Sequence, residues 1–141
     1  MINFVCGYIG AGKSTFIKEQ RHENDIVIDW DDIKEVINDK NDLITTELVN
    51  SLLIICINFK KECWIQGVLP KDEQVELLKS VKVKWYWIDC SLEQAKQNIL
   101  KRNRANQVND IDDLVKFNKK MEYESNIFKM KYRPETIYMY D

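Results

Sequence analysis

The stretch Gly7-Tyr8-Ile9-Gly10-Ala11-Gly12-Lys13-Ser14 satisfies G-x-x-x-x-G-K-[ST] in full, and it constrains the fold more than any other feature of the chain. Such a segment works as a turn between a strand that delivers it and a helix that leaves it. Both flanks comply: Ile2 to Cys6 is an apolar run of strand length, and Lys13 to His22 is a good helix-forming stretch. Gly7, Gly10 and Gly12 let backbone amides approach an anion closely, and the start of the helix adds its positive end. Lys13 is expected to reach the β- and γ-phosphates of a nucleoside triphosphate, and the Ser14 hydroxyl to ligate Mg2+. Ala11 and Thr15 complete the predicted binding segment for ATP or another nucleoside triphosphate.

At 141 residues the chain is expected to form one domain around a single core. Hydrophobic residues make up 45% and charged residues 31%, the balance of a soluble globular protein. The longest apolar run, Leu52 to Ile57, is too short to span a bilayer, and no basic leader precedes Ile2, so neither membrane span nor signal peptide is expected. Cys6, Cys56, Cys63 and Cys90 show no CxxC pairing, and with one histidine in the chain they are expected to be reduced core thiols of a cytoplasmic protein. Basic charge lies late: residues 96 to 133 carry 10 Lys/Arg against 5 Asp/Glu. Solvated helix faces and a phosphate-facing lid or nucleic-acid surface are both compatible with that bias.

Strand and helix patterns alternate along the chain. Ile26 to Ile28 is a second strand, followed by the acidic cluster Asp29-Trp30-Asp31-Asp32 and a helix to about Asp39. Thr45 to Lys61 has helical spacing, Cys63 to Leu69 is a buried strand stopped by Pro70, and Asp72 to Ser80 is another helix. Val83 to Ile88 is a strand, and Ser91-Leu92-Glu93-Gln94 is a capping box announcing a helix to about Asn103. One long helix from about Asp110 to Lys129 then precedes a last strand, Thr136 to Tyr140. The order predicts an α/β three-layer sandwich of the P-loop type, with a mainly parallel sheet of about five strands and a short helical lid.

Several classes of triphosphate-binding protein are disfavoured by what is missing. GTP specificity usually needs N-K-x-D, and the nearest approach, Asn118-Lys119-Lys120-Met121, lacks the aspartate and falls in a predicted helix. A mechanical ATPase would normally show an apolar strand ending in an acidic pair, yet the third strand reads Cys63-Trp64-Ile65-Gln66-Gly67-Val68. Ile26 to Ile33 also approaches the D-x-D-x-[TV] start of haloacid-dehalogenase phosphatases, but that motif belongs after a fold's first strand and has Thr or Val where Ile33 stands.

The small-kinase pattern remains, and it needs two further parts. Phosphoryl transfer to a hydroxyl needs a carboxylate beside the acceptor oxygen, for which Asp31 is the candidate at the end of the second strand. Asp31 or Asp32 could alternatively cap the next helix, Asp32 with Glu35 forming the box. Asp29 is a candidate for Mg2+ through water, Lys34 for an acceptor phosphate, and Trp30 for stacking on a base or packing in the core. The transferred group also needs cationic cover, and Lys101-Arg102-Asn103-Arg104 suits a lid in which Arg102 and Arg104 donate paired hydrogen bonds, if it does not merely compensate a helix dipole.

Taken together, Gly7 to Thr15, the I-D-W-D-D-I-K segment at Ile28 to Lys34, and the segments I-D-C-S-L-E-Q and L-K-R-N-R between Ile88 and Arg104 resemble the kinase domain of phage polynucleotide 5′-hydroxyl kinase and its small P-loop kinase relatives. The resemblance implies an ATP-dependent kinase with Asp31 as general base, Lys34 at the acceptor phosphate, and Arg102 or Arg104 as lid arginine. Its implied acceptor is a nucleic-acid 5′ end, a nucleotide or a nucleoside. A kinase for an unrelated small molecule and a non-catalytic nucleotide-binding module are the alternative expectations. Trp30 in place of a basic residue, Lys34 in place of arginine, and Gln66-Gly67 at the end of strand three depart from the family pattern.

Overall fold

The computed structural model describes residues 1–102 and 111–139. Five strands, β1 (Ile2–Cys6), β2 (Ile26–Ile28), β3 (Cys63–Gly67), β4 (Val83–Asp89) and β5 (Glu135–Tyr138), form one sheet in the order β2-β3-β1-β4-β5. Every pairing is parallel. Among the described residues seven helices connect them: α1 (Lys13–Gln20), α2 (Trp30–Ile37), α3 (Leu43–Asn58), α4 (Asp72–Leu77), α5 (Leu92–Arg102), α6 (Ile111–Lys120) and α7 (Glu122–Tyr132). All five residues of β1 are buried, which requires helices on both faces of the sheet and accounts for the unbroken apolar run.

The two faces have separate aromatic cores. On one, Phe4 stacks on Trp85 with ring centroids 5.2 Å apart, and Phe128 and Tyr132 of α7 close over Trp85. On the other, Phe16 of α1 packs on Tyr86 and Trp64, which stack on each other. All four cysteines are buried free thiols, and burial pushes those of Cys6 and Cys63 well above their usual range.

Three expectations need correction. The single long helix predicted from about Asp110 to Lys129 is two, α6 and α7, broken at Met121. Met121 N donates to both Phe117 O and Asn118 O, tightening the turn, and the buried Ser125 hydroxyl donates to Glu122 O at 2.7 Å. The change of direction lets Phe128 reach the sheet while Asn118 stays at the phosphate loop, a tertiary requirement invisible to periodicity. Secondly, neither Asp31 nor Asp32 caps α2. Asp29 does, its Oδ1 accepting from Asp31 N at 3.1 Å and Asp32 N at 3.4 Å. Thirdly, only half of the Ser91 box is as expected: Ser91 Oγ accepts from Gln94 N at 3.0 Å, while the Gln94 amide donates to Asn98 Oδ1.

Candidate active site

β1 ends at Cys6 and delivers the glycine loop to the carboxyl edge of the sheet, beside the end of β3, where Gly7 N donates to Val68 O. Gly10 and Gly12 have φ of +89° and +99°, a region that side chains rarely adopt. A Cβ on Gly10 would also lie 2.6 Å from Ala95 O of α5, so the loop packs there only with glycine. The Lys13 ammonium folds back onto the loop, donating to Gly7 O at 2.7 Å and Tyr8 O at 3.0 Å. Burial lowers its pKa to about 8, opposed by the nearby Cys6, Asp31 and Asp29 and assisted by Arg102. Asp31, Asp29 and Arg102 are thus each within electrostatic reach of Lys13.

At the adjoining strand ends, Gln66 of β3 joins the loop to β2. Its Nε2 donates to Asp29 Oδ2 at 2.6 Å and to Ser14 Oγ at 3.0 Å. Burial, with the like charge of Asp32 behind it, raises the Asp29 carboxyl above its usual range even though two backbone amides favour its charged form. The end of β3, which carries no carboxylate, is thus hydrogen-bonded through the Gln66 amide to Asp29, one residue past β2. Asp31, one residue into α2, is exposed and lines the same cavity.

From the opposite flank, α5 and α6 grip the tip of the loop. Asn98 Nδ2 donates to Gly10 O at 2.8 Å, and the buried Asn118 exchanges two hydrogen bonds with Ile9. Lys101 and Arg102, at the end of α5, line the cavity; Lys119 and Lys120 are exposed elsewhere on α6. Arg104 falls outside the described residues. So do the lid segment around it and the end of the last predicted strand.

Gly10, Ala11, Gly12, Lys13, Ser14 and Thr15 all line one cavity of about 980 Å3, which continues past Asp29, Trp30 and Asp31 to Lys71. Gly7 lies beneath it, holding Lys13. That volume lies at the upper end of the range for small-ligand sites. Lys34 does not line it; its ammonium pairs with Asp42 at 2.7 Å. Trp30 lines the cavity with the Lys71 ammonium 3.3 Å from its ring centroid. The Ser14 hydroxyl and Asp29 carboxylate are hard oxygen donors, and a cation there would relieve the burial and like-charge cost on Asp29, so these residues fit Mg2+ shared with phosphates.

Sequence reasoning missed Gln66, Asn98, Asn118 and Lys71. Gln66 was readable as the polar residue near the end of a buried strand, and Lys71 as the first residue after Pro70 at that strand's exit. Asn98 and Asn118 carry no local signal, since each acts across a long sequence separation.

No protein-family model matches the chain, and no curated protein matches it in sequence. Solved structures do match in fold. Shikimate kinase from Bacteroides thetaiotaomicron superposes with a TM-score of 0.65 at 19% identity, over 97% of this chain and 85% of the other. A gluconokinase from Sinorhizobium meliloti 1021 gives 0.60 at 12% identity, over 99% and 82%. A chain of the Pnkp1/Rnl/Hen1 RNA repair complex gives 0.60 at 13%, over 84% of this chain and 45% of that one. This chain spans less than half of the matched chain of that complex. The fold is that of the P-loop kinases. Among the described residues no helix is long and apolar enough to cross a membrane.

Proposed function

We propose that this chain is an ATP-dependent phosphotransferase that moves the γ-phosphoryl group to an acceptor hydroxyl, with a polynucleotide 5′ end, nucleotide or nucleoside as acceptor. The observation that carries the reading is the convergence of Lys13, Asp29, Asp31 and Arg102 on one cavity, close enough for each of the other three charges to move the pKa of Lys13. The loop amides and Lys13 hold the triphosphate. Ser14 and Asp29 would hold Mg2+, which when bound would offset charge on the phosphates. Asp31 accepts a hydrogen bond from the acceptor hydroxyl, orients its oxygen in line with the γ-phosphorus, and takes its proton as the O–P bond forms and the bond to the β-phosphate oxygen breaks. Arg102 covers the charge on the transferred group, and Arg104 belongs to the same proposed lid.

A second reading, a kinase for a small hydroxylated metabolite, is supported by the high mutual coverage with shikimate kinase and gluconokinase. A panel of 5′-hydroxyl oligonucleotides, nucleosides, nucleotides and small hydroxy acids, incubated with labelled ATP and Mg2+, separates the two by which acceptor takes the label. Asp31→Asn should lose about 100-fold or more in kcat and keep its ATP affinity. Unchanged transfer by that variant would remove Asp31 from the mechanism, and tight ATP binding without transfer to any acceptor would leave a nucleotide-binding module.

A further inference from the structure

The acceptor half of the cavity is strongly acidic and yet holds a cation committed to no carboxylate. Asp29, Asp31 and Asp32 line its β2 side. Lys34, the lysine expected to meet an acceptor phosphate, is engaged with Asp42 and stands outside the cavity. Across from the acidic wall, the chain leaves β3 through Val68, Leu69 and Pro70, which brings Lys71 to the cavity rim. Its backbone is fixed, since Lys71 N donates to Oε1 of the buried Gln74 at 2.9 Å. Its ammonium lies 3.3 Å from the centre of the Trp30 ring, and among the described residues it makes no ion pair. Desolvation lowers its pKa, opposed in part by the charges of Asp42 and Glu73, neither of which pairs with it.

A lysine in this state is poised for an oxyanion. The ring face holds the ammonium where water is partly excluded, and a carboxylate or phosphate entering the cavity provides a stronger partner than the ring. A neutral acceptor would gain only a hydrogen bond from such a cation, whereas an anionic one would also gain charge attraction against the aspartates beside it. Moving to the anion would also uncover the Trp30 face for a flat part of the same molecule.

We propose that Lys71, parked on Trp30, is the residue that recognises the acceptor, and that the acceptor carries an oxyanion near the hydroxyl to be phosphorylated. The inference rests on the phosphotransferase reading for the word acceptor, while the anion site itself is open to separate test. Inorganic phosphate and gluconate serve as phosphate and carboxylate probes, titrated into protein saturated with Mg2+ and the β,γ-imido analogue of ATP. The readout is tryptophan fluorescence. If the analogue does not bind, the Lys13→Ala protein replaces it, so that phosphate on the glycine loop does not contribute.

At least one probe should give a saturable change that Trp30→Phe abolishes. Lys71→Met should weaken it tenfold or more, Lys71→Arg should retain it within about threefold, and Lys34→Met should leave it unaltered. With any acceptor that turns over, Lys71→Met should raise KM about tenfold and change kcat less than twofold. The proposal is overturned if neither probe perturbs Trp30, if Lys34→Met and not Lys71→Met weakens binding, or if neutral and anionic acceptors are used equally well. Absence of any phosphoryl transfer would count against the kinase reading alone, since anion binding still decides the role of Lys71.

Discussion

The carboxamide of Asn118 forms two hydrogen bonds to one residue of the phosphate loop: Oδ1 accepts from Ile9 N and Nδ2 donates to Ile9 O, both at 2.9 Å. Ile9 N is therefore committed to the protein, and phosphate binding falls to the remaining loop amides. Asn118→Ala leaves both groups without these partners, at a cost of about 2 kcal/mol and roughly 4–8 °C in Tm. Asn118→Asp can still accept from Ile9 N but cannot donate to Ile9 O, and it brings a negative charge toward the triphosphate. Thermal melts should show both variants destabilised, and calorimetry should show ATP affinity falling further in the aspartate variant. Equal affinities in the two would mean that this contact is structural only.

Asp29→Asn separates stability from metal use. The Asp29 carboxyl is raised in the fold, so its charged form costs stability; that cost builds as pH rises through the unfolded value of about 4 and persists at neutral pH. Asparagine remains a good helix cap and, with the Gln66 amide turned over, can still pair with it. At pH 7 without metal the variant should melt at or above the wild-type temperature, and at pH 3 the difference should vanish. The Mg2+ concentration for half-maximal phosphoryl transfer should rise about tenfold.

Lys13 makes nucleotide binding pH-dependent. Its folded pKa of about 8 lies below the usual value, so charging it opposes folding at and below pH 8, and that penalty is relieved as pH rises from 8 toward 10.5. A bound triphosphate favours the ammonium and raises the pKa again. Affinity for ATP should weaken as pH rises through 8, and binding at pH 9 should take up close to one proton, measurable by calorimetry in buffers of different ionisation enthalpy. Proton uptake that persists in Lys13→Met would assign the effect elsewhere.

Arg102 lies at the end of α5 and within the field of Lys13, whose pKa it lowers. Arg102→Lys keeps the charge but removes the paired donors, so kcat should fall about tenfold with little change in ATP Kd. Arg102→Ala should fall further, and a larger loss in the lysine variant than in the alanine variant would exclude a charge role.

Much of the site was legible because its parts are local. The glycine loop, the strand before it and the helix after it are contiguous, and each glycine answers a backbone demand that its own neighbours create. Asp31 was legible as a carboxylate following a strand, but the capping residue was not. Asx capping depends on which of the three aspartates between positions 29 and 32 turns back on the amides, and Asp29 does so while Gln66 of another strand holds its second oxygen. Lys34, which the resemblance set at an acceptor phosphate, pairs in the structure with Asp42, a contact that no local pattern announces.

By itself the sequence determined the parallel α/β order, the buried β1 and the phosphate loop, because apolar runs, helical spacing and glycine conformations are set within a few residues. Only the tertiary structure decided which polar side chains meet across that framework. Gln66 links Ser14 to Asp29, Asn98 and Asn118 hold the loop tip, and Lys71 settles on Trp30. Such contacts join residues brought together by strand order and helix packing, where each buried or desolvated polar group takes a partner that its own segment does not supply.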